Sequence, residues 1–264
     1  MQAQEQSTMR LLLSSLISLL LTTTVYANDI YVTQSGDNFD LTVDQKGDYN
    51  SVVGRTTDNA PITGANNTIT LNQGYEGYNV IGLDINGANN DVTVNQERGV
   101  GGYDTDSYGD HFASVEIDGD GNSIEITQRN NSNSSAGHYG SVRFRGDDNT
   151  ANVLQTGTGG SVGHTGVIYT HDTESNNTVD LFQNSDTVDH KAYVSLYTDD
   201  NTVDIDQTGN AQNKAYVLFS SSASGPTDFT LSQNGGDTYG NPDSGSYVTI
   251  RCGSQAGCTV NVSQ

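Results

Sequence analysis

The fold of this chain is decided by a short stretch, NNTITLNQ at residues 66–73, because its pattern returns throughout the sequence. Apolar residues lie four and two positions before the glutamine, at Ile69 and Leu71, with polar residues between them. Alternation with a period of two is typical of a β-strand that buries one face. The stretch therefore predicts a half-buried strand that ends at Gln73.

Further stretches repeat the two apolar residues and the closing glutamine, and most also carry an asparagine six positions before it. They are NDIYVTQ (28–34), NNDVTVNQ (89–96), GNSIEITQ (121–128), NTANVLQ (149–155), NNTVDLFQ (176–183), NTVDIDQ (201–207), TDFTLSQ (227–233) and CTVNVSQ (258–264). Because six is even, the asparagine, the apolar pair and the glutamine face one side, and the polar residues between them face outward. We predict an inward ladder of Asn28, Gln34, Gln45, Asn67, Gln73, Asn90, Gln96, Asn122, Gln128, Asn149, Gln155, Asn177, Gln183, Asn201, Gln207, Gln233 and Gln264.

A second, looser strand precedes each of these. Its copies are NVIGLDI, HFASVEI, HYGSVRF, HTGVIYT, HKAYVSL, NKAYVLF and SYVTIRC, starting at residues 79, 111, 138, 164, 190, 213 and 246, with further strands at Asn28–Gln34 and, weakly, Asn50–Thr56. Short turns such as NGAN and DGDG join the two strands, and Gly, Asn and Asp suit tight reversals. Repeats of this length predict a β-solenoid, here of nine strand-turn-strand units.

The composition agrees with a thin, continuous core. Only 33% of the 264 residues are hydrophobic, with 30 Gly, 3 Pro and no Trp. If each unit lies flat on the next, about 4.8 Å apart, inward Asn and Gln hydrogen-bond along their own columns. Such a core stays narrow while its buried polar groups keep their partners.

The formal net charge of −22, from 32 acidic and 10 basic residues, excludes several classes of partner. A nucleic acid or an anionic membrane surface would meet strong repulsion. Paired carboxylates are unavoidable with so many acids, no serine sits in a nucleophile elbow, and basic residues are few. We therefore predict that the chain is not an enzyme and needs no cofactor.

Residues 1–27 have the pattern of a signal peptide. Arg10 precedes the apolar run LLLSSLISLLL at 11–21, and Val25–Ala27 offers a small-residue cleavage site. The run is about half of the roughly 20 residues that a membrane span needs, although a membrane anchor is the alternative reading. We expect an exported mature domain at 28–264 with no membrane span, and a disulfide between Cys252 and Cys258.

At this point the chain resembles the curlins, secreted subunits of bacterial curli amyloid fibres, whose repeat is Ser-x5-Gln-x-Gly-x-x-Asn-x5-Gln. Gln45-Lys-Gly-Asp-Tyr-Asn50 reproduces its middle, and the Asn-x5-Gln half recurs at Asn67–Gln73 and Asn201–Gln207. The resemblance implies an extracellular fibre in biofilm matrix or surface adhesion. It also implies two partners besides self-association, a nucleating minor subunit and an outer-membrane secretion channel.

The other candidate residues have competing interpretations. His111, His138, His164 and His190 begin successive first strands, where they could bind zinc, gain charge below about pH 6.5, or simply fill a polar column. The acidic clusters Asp104/Asp106/Asp110, Asp118/Asp120 and Asp199/Asp200 could bind calcium but lack EF-hand spacing, and solvated turns are the simpler interpretation. No metal site is assigned.

Two functions remain open at this stage. The first is fibre growth by templated β-addition, in which an exposed terminal strand pairs with an incoming chain. Asp180 and Asp204, at matching outward positions of adjacent units, would repel each other and slow assembly. The alternative is a non-polymerising adhesin that binds glycans or surfaces through its long loops, Glu97–Asp110 and Asn234–Gly245.

Overall fold

The computed structural model describes residues 29–46, 50–54, 62–74, 79–97, 111–130, 138–157, 164–170, 176–184, 190–197, 200–208, 213–219, 227–234, 247–251 and 258–263. Regular structure in these ranges is entirely β-strand. A search of the same ranges finds no helix long and apolar enough to cross a membrane. The predicted signal peptide at 1–27, and all but the first residue of the two long loops, lie outside the described residues.

Along the chain, the long strands belong in turn to one of two sheets. In chain order they are β1 (Asp29–Tyr31), β2 (Gln34–Ser35), β3 (Asp40–Lys46), β4 (Asn50–Gly54), β5 (Ile62–Thr63), β6 (Thr68–Gly74), β7 (Asn79–Asn86), β8 (Asp91–Glu97), β9 (His111–Asp118), β10 (Ser123–Asn130), β11 (His138–Arg145), β12 (Thr150–Gly157), β13 (His164–Thr170), β14 (Thr178–Asn184), β15 (His190–Leu196), β16 (Thr202–Thr208), β17 (Asn213–Phe219), β18 (Thr227–Asn234), β19 (Tyr247–Arg251) and β20 (Cys258–Ser263).

Two parallel sheets are formed by these strands. The sheet that carries the four histidines, called here the histidine sheet, runs β1-β4-β7-β9-β11-β13-β15-β17-β19. Strand β5 also pairs with β7, and β2 pairs with β5. The other, the glutamine sheet, runs β3-β6-β8-β10-β12-β14-β16-β18-β20. Because the chain changes sheet after each long strand and returns one step further along, the fold is an all-β solenoid, and this part of the prediction is confirmed.

The hydrophobic core lies between the sheets, where side chains such as Ile69, Val94 and Ile126 have no exposed surface. In the histidine sheet one register position carries only small residues over five strands: Ala113, Gly140, Gly166, Ala192 and Ala215. A Cβ on Gly166 would lie 2.6 Å from Cδ1 of Leu181 in the facing sheet. Small side chains here thus make room for the larger ones opposite, as close packing requires.

The turns also stack on one another. Gly87 has a φ of +147° and Asn89 a φ of +55°, both in the left-handed region that favours Gly and Asn. The amide of Gly64 donates to the carbonyl of Asn86 at 3.0 Å, and the amide of Gly87 to that of Asp118 at 2.9 Å. The parallel hydrogen bonding therefore continues through these turns.

The predicted weak strand at Asn50–Thr56 is confirmed over Asn50–Gly54, and Arg55 and Thr56 lie outside the described residues. Strand β4 ends at Gly54, and the closing position is filled by β5, where Ile62 pairs with Gln34 on one side and Ile85 on the other. The strand pattern is split between two separated segments of sequence. A continuous window could not find it.

Candidate functional site

The glutamines of the glutamine sheet form a buried hydrogen-bonded column. Gln96 Nε2 donates to Gln73 Oε1 at 3.0 Å, and Gln128 Nε2 donates to Gln96 Oε1 at 2.8 Å. The same bond joins each successive pair, at 2.7 to 2.9 Å, through Gln45, Gln73, Gln128, Gln155, Gln183, Gln207 and Gln233. All of these side chains are at most 4% exposed.

The column glutamines from Gln73 to Gln207 also connect the two sheets. Gln128 Nε2 lies 2.9 Å from the carbonyl oxygen of Tyr139 and 3.3 Å from that of His111, both in the histidine sheet. Gln207 makes the equivalent bond to the carbonyl of Lys214 at 3.2 Å. The column thus fixes the corner at which one strand ends and the next begins, using donors that would otherwise be buried without partners.

The asparagines form a second column at the opposite corner. The amide N–H of Asn90 donates to Oδ1 of Asn122 at 2.9 Å, and Asn90 Nδ2 donates to the carbonyl of Gly87 at 2.8 Å. Backbone-to-Oδ1 bonds of the same direction run from Phe39, Asn67, Asn122, Asn149 and Asn177 to the next asparagine along the stack. Asparagine therefore holds its own turn and the adjacent rung together.

The predicted ladder residues do not all share these columns. Gln34 lies in β2 of the histidine sheet, is half-buried, and donates to the nearby carbonyl of Gly36 at 3.2 Å. It closes a first strand, where Ile62 and Ile85 stand in the neighbouring rungs, and so is not a member of the glutamine column. Asn28, Cys252 and Gln264 lie outside the described residues, and Cys258 is described only as the first residue of β20.

The histidines form a buried stack. Ring centroids lie 4.8 Å apart for His111 and His138, 4.6 Å for His138 and His164, and 5.1 Å for His164 and His190. All four side chains are at most 2% exposed, and Asn79 Nδ2 lies 3.3 Å from Nδ1 of His111. Among the described residues, no group of three His, Cys, Asp or Glu side chains is suited to hold a metal ion.

The expected gain of charge just below pH 6.5 is wrong for His111, His138 and His164. Burial lowers the pKa of His111 to about 4. Burial, followed by the neighbouring histidines, lowers the pKa of His164 to about 3 and that of His138 well below its usual value. Removing a cation from water disfavours the charged form, so the rings of His111, His138 and His164 are neutral at physiological pH.

The outer face of the glutamine sheet is acidic near β14 and β16. Asp180 and Asp204 are paired in register, and with Asp206 and Phe182 they line an open groove of about 490 Å³. Partial burial, followed by the charges of Asp204 and Asp206, raises the pKa of Asp180. Not every outward position is exposed to solvent. Thr127 is only 5% exposed, and its neighbours in register are Asn95 and Leu154.

The outer face of the histidine sheet carries features that the sequence interpretation missed. Glu116 pairs with Arg143 at 3.2 Å and with Arg145 at 3.1 Å, and the guanidinium of Arg143 lies 5.5 Å from the ring centre of Tyr169. Further along, Lys191 and Lys214 are neighbours in register. Aligning the first strands on their histidines would have placed these residues in outward columns.

Comparison with family models, curated proteins and solved structures found no match to this chain.

Proposed function

We propose that this chain is a secreted structural subunit that stacks end to end into an extracellular curli-like amyloid fibre, each mature molecule contributing nine strand-turn-strand units. The observation that carries the proposal is the pairing at the ends of the sheets. Among the described strands, β3 and β20 each pair with a single neighbour, as do β1 and β19. Edge strands offer N–H and C=O groups that can template an incoming strand.

The two amide columns give such growth a direction. Each column glutamine from Gln73 to Gln233 donates toward the N-terminal end of the stack. The Oδ1 of each column asparagine from Asn67 to Asn201 accepts from that same side. Head-to-tail addition of a second copy continues both columns, whereas head-to-head contact sets donors against donors or acceptors against acceptors. A buried amide without a partner is unfavourable, so the columns select one polarity of addition.

The curlin resemblance supports the same proposal from the sequence. Repeats Gln45–Asn50 and Asn67–Gln73 follow the curlin pattern, and the glutamines concerned lie in the buried column. On the basis of that resemblance, the proposal also includes export through an outer-membrane channel, nucleation by a minor subunit, and a role in biofilm matrix or adhesion. It includes no enzymatic activity.

The test is electron microscopy of purified mature protein, residues 28–264, combined with a thioflavin time course. We expect unbranched fibres that seed further growth of fresh monomer. A protein that stays monomeric under conditions where the fold is intact would refute the proposal and favour the adhesin alternative.

A further inference from the structure

One part of the histidine sheet presents paired cations and paired aromatic rings to solvent. Lys191 and Lys214 are in register on β15 and β17, and Tyr193 and Tyr216 are in register two residues further on. Lys191 is exposed, Tyr193 is 47% exposed, and the two tyrosine ring centres are 6.2 Å apart. These four residues are called here the lysine–tyrosine face.

The opposite side of the solenoid presents the complementary set. Asp180, Asp204, Asp206 and the half-buried Phe182 lie on β14 and β16 and are called here the aspartate face. Within one molecule each face sets like charges beside each other, which is unfavourable. Partial burial, followed by the neighbouring aspartates, raises the pKa of Asp180 and of Asp206. The charged aspartates of this face therefore disfavour one another.

The two faces lie near the same corner of the solenoid, on its opposite outer surfaces. The bond from Gln207 to the carbonyl of Lys214 places the end of β16 beside the start of β17, so Asp206 and Lys214 flank one corner on opposite outer surfaces. Strands of the two sheets run in opposite directions across the core. By the equivalent bond from Gln183 to the carbonyl of Lys191, Phe182 and Lys191 flank the corner one rung earlier. A sideways translation without rotation, shifted by two residues along the strands, therefore sets Lys191 of one molecule across from Asp180 of the next and Lys214 across from Asp204.

We propose that the lysine–tyrosine face of one molecule binds the aspartate face of a second copy, so that solenoids associate side by side. Lysine ammonium groups meet carboxylates, and tyrosine hydroxyls can donate to the remaining carboxylate oxygens. Both faces repeat with the same inter-strand spacing of about 4.8 Å, so successive charges stay matched along the stack. Because the two surfaces differ, the contact is heterologous and propagates into rows of solenoids.

This contact does not depend on end-to-end growth, and the two can be measured separately. Fibre length reports growth at the solenoid ends, and fibre width reports sideways association. Long wild-type fibres that remain one solenoid wide at low ionic strength would overturn the side-by-side contact and leave the fibre proposal standing.

The decisive experiment is a charge-reversal mixture of two full mature variants. The first variant carries Lys191→Glu and Lys214→Glu, so that its lysine–tyrosine face becomes acidic like its aspartate face. The second carries Asp180→Lys and Asp204→Lys, so that its aspartate face becomes basic like its lysine–tyrosine face. By sedimentation at low ionic strength we expect each variant alone to associate roughly tenfold or more weakly than wild type. A one-to-one mixture should recover association, because acidic faces then meet basic ones.

Controls keep the result interpretable if a variant is impaired. Circular dichroism checks the fold, and Lys191→Gln with Lys214→Gln, which removes charge without reversing it, should lose part of the association. A mixture that stays dissociated while both variants are folded would overturn the proposal. The proposal would also be overturned if the mixture failed to recover association while wild type bound immobilised polyuronate through its lysines. That result would assign the lysine–tyrosine face to an acidic glycan.

Discussion

Gln128 donates a 2.8 Å hydrogen bond from Nε2 to Oε1 of Gln96, and this bond has the same direction in every pair of the glutamine column. Its own Oε1 accepts from Gln155 Nε2 at 2.9 Å. A primary amide can fill both roles because it carries a donor and an acceptor, whereas an ionised carboxylate only accepts. The column therefore depends on amide chemistry and not merely on polarity.

Replacing Gln128 by Glu should strongly destabilise the solenoid. The carboxylate would face the oxygens of Gln96 and Tyr139 without a proton to share, in a side chain with no exposed surface. We expect the free energy of unfolding to fall by roughly 3 kcal/mol or more, measured by guanidinium denaturation.

A matched control makes the same amide-to-acid change on the surface of the same sheet. Asn184 is exposed at the end of β14, between Thr156 and Thr208. Asn184→Asp should change the free energy of unfolding by no more than about 0.5 kcal/mol. Similar losses in the two variants would contradict the inward role of the glutamine.

The histidine stack should make folding weaker in acid. Histidines in the unfolded chain bind protons near pH 6.5, whereas His111 in the fold does so only at about pH 4. Their contribution is thus fully present above pH 6.5, declines between pH 6.5 and about 4, and for His164 continues to decline to about 3. The shift at His111 alone corresponds to roughly 3 kcal/mol.

Denaturation midpoints at several pH values check this prediction. Replacing His111, His138, His164 and His190 together by Asn, the residue at both flanking positions Asn79 and Asn213, should flatten the decline between pH 6.5 and 4. A wild-type profile that is already flat in that window would show that the rings titrate normally and are not buried.

The strands of the solenoid could be predicted from sequence because alternation and a closing residue recur together. Ile124, Ile126 and Gln128 fall on one face by counting alone, and the structure buries all three. The same counting did not decide which of the two columns Gln34 belongs to. Its stretch satisfies the pattern equally well as a first or a second strand, and only pairing with Ile62 distinguishes them.

Other features of the site required three-dimensional neighbours. The pKa of His138 is lowered first by burial and then by the neighbouring histidines, which the residue type does not reveal. Likewise, the alternation places Thr127 on the outer face, yet its side chain is buried there beside Leu154 of the adjacent strand. Period-two patterns specify which face a side chain takes, not how much its lateral neighbours cover it.

The glycine turns offer a third prediction. Gly87 has a φ of +147°, and a Cβ there would collide with the backbone carbonyl of Gly64 in the stacked turn. Gly87→Ala should lower the free energy of unfolding by roughly 2 kcal/mol or more, since backbone atoms cannot give way as a flexible side chain can. Gly74→Ala is the control, because a Cβ there meets nothing within 4 Å, and it should unfold close to wild type.

The last prediction concerns the aspartates of the outer face. Asp204→Asn removes a like charge beside Asp180, so at pH 7 we expect the free energy of unfolding to rise by about 0.5 kcal/mol. The pKa of Asp180 is raised in the fold, so its contribution is most favourable in acid and is lost as the pH rises through that raised value. The advantage of Asp204→Asn should therefore shrink as the pH is lowered and the carboxylates become neutral. Comparing variant with wild type at each pH cancels the histidine effect common to both.

Asp228→Asn is the matched control, because Asp228 is exposed between Thr202 and Thr259 and has no acidic residue opposite it in either neighbouring strand. An equal gain from Asp228→Asn would show that net charge, and not the Asp180–Asp204 pair, sets the effect.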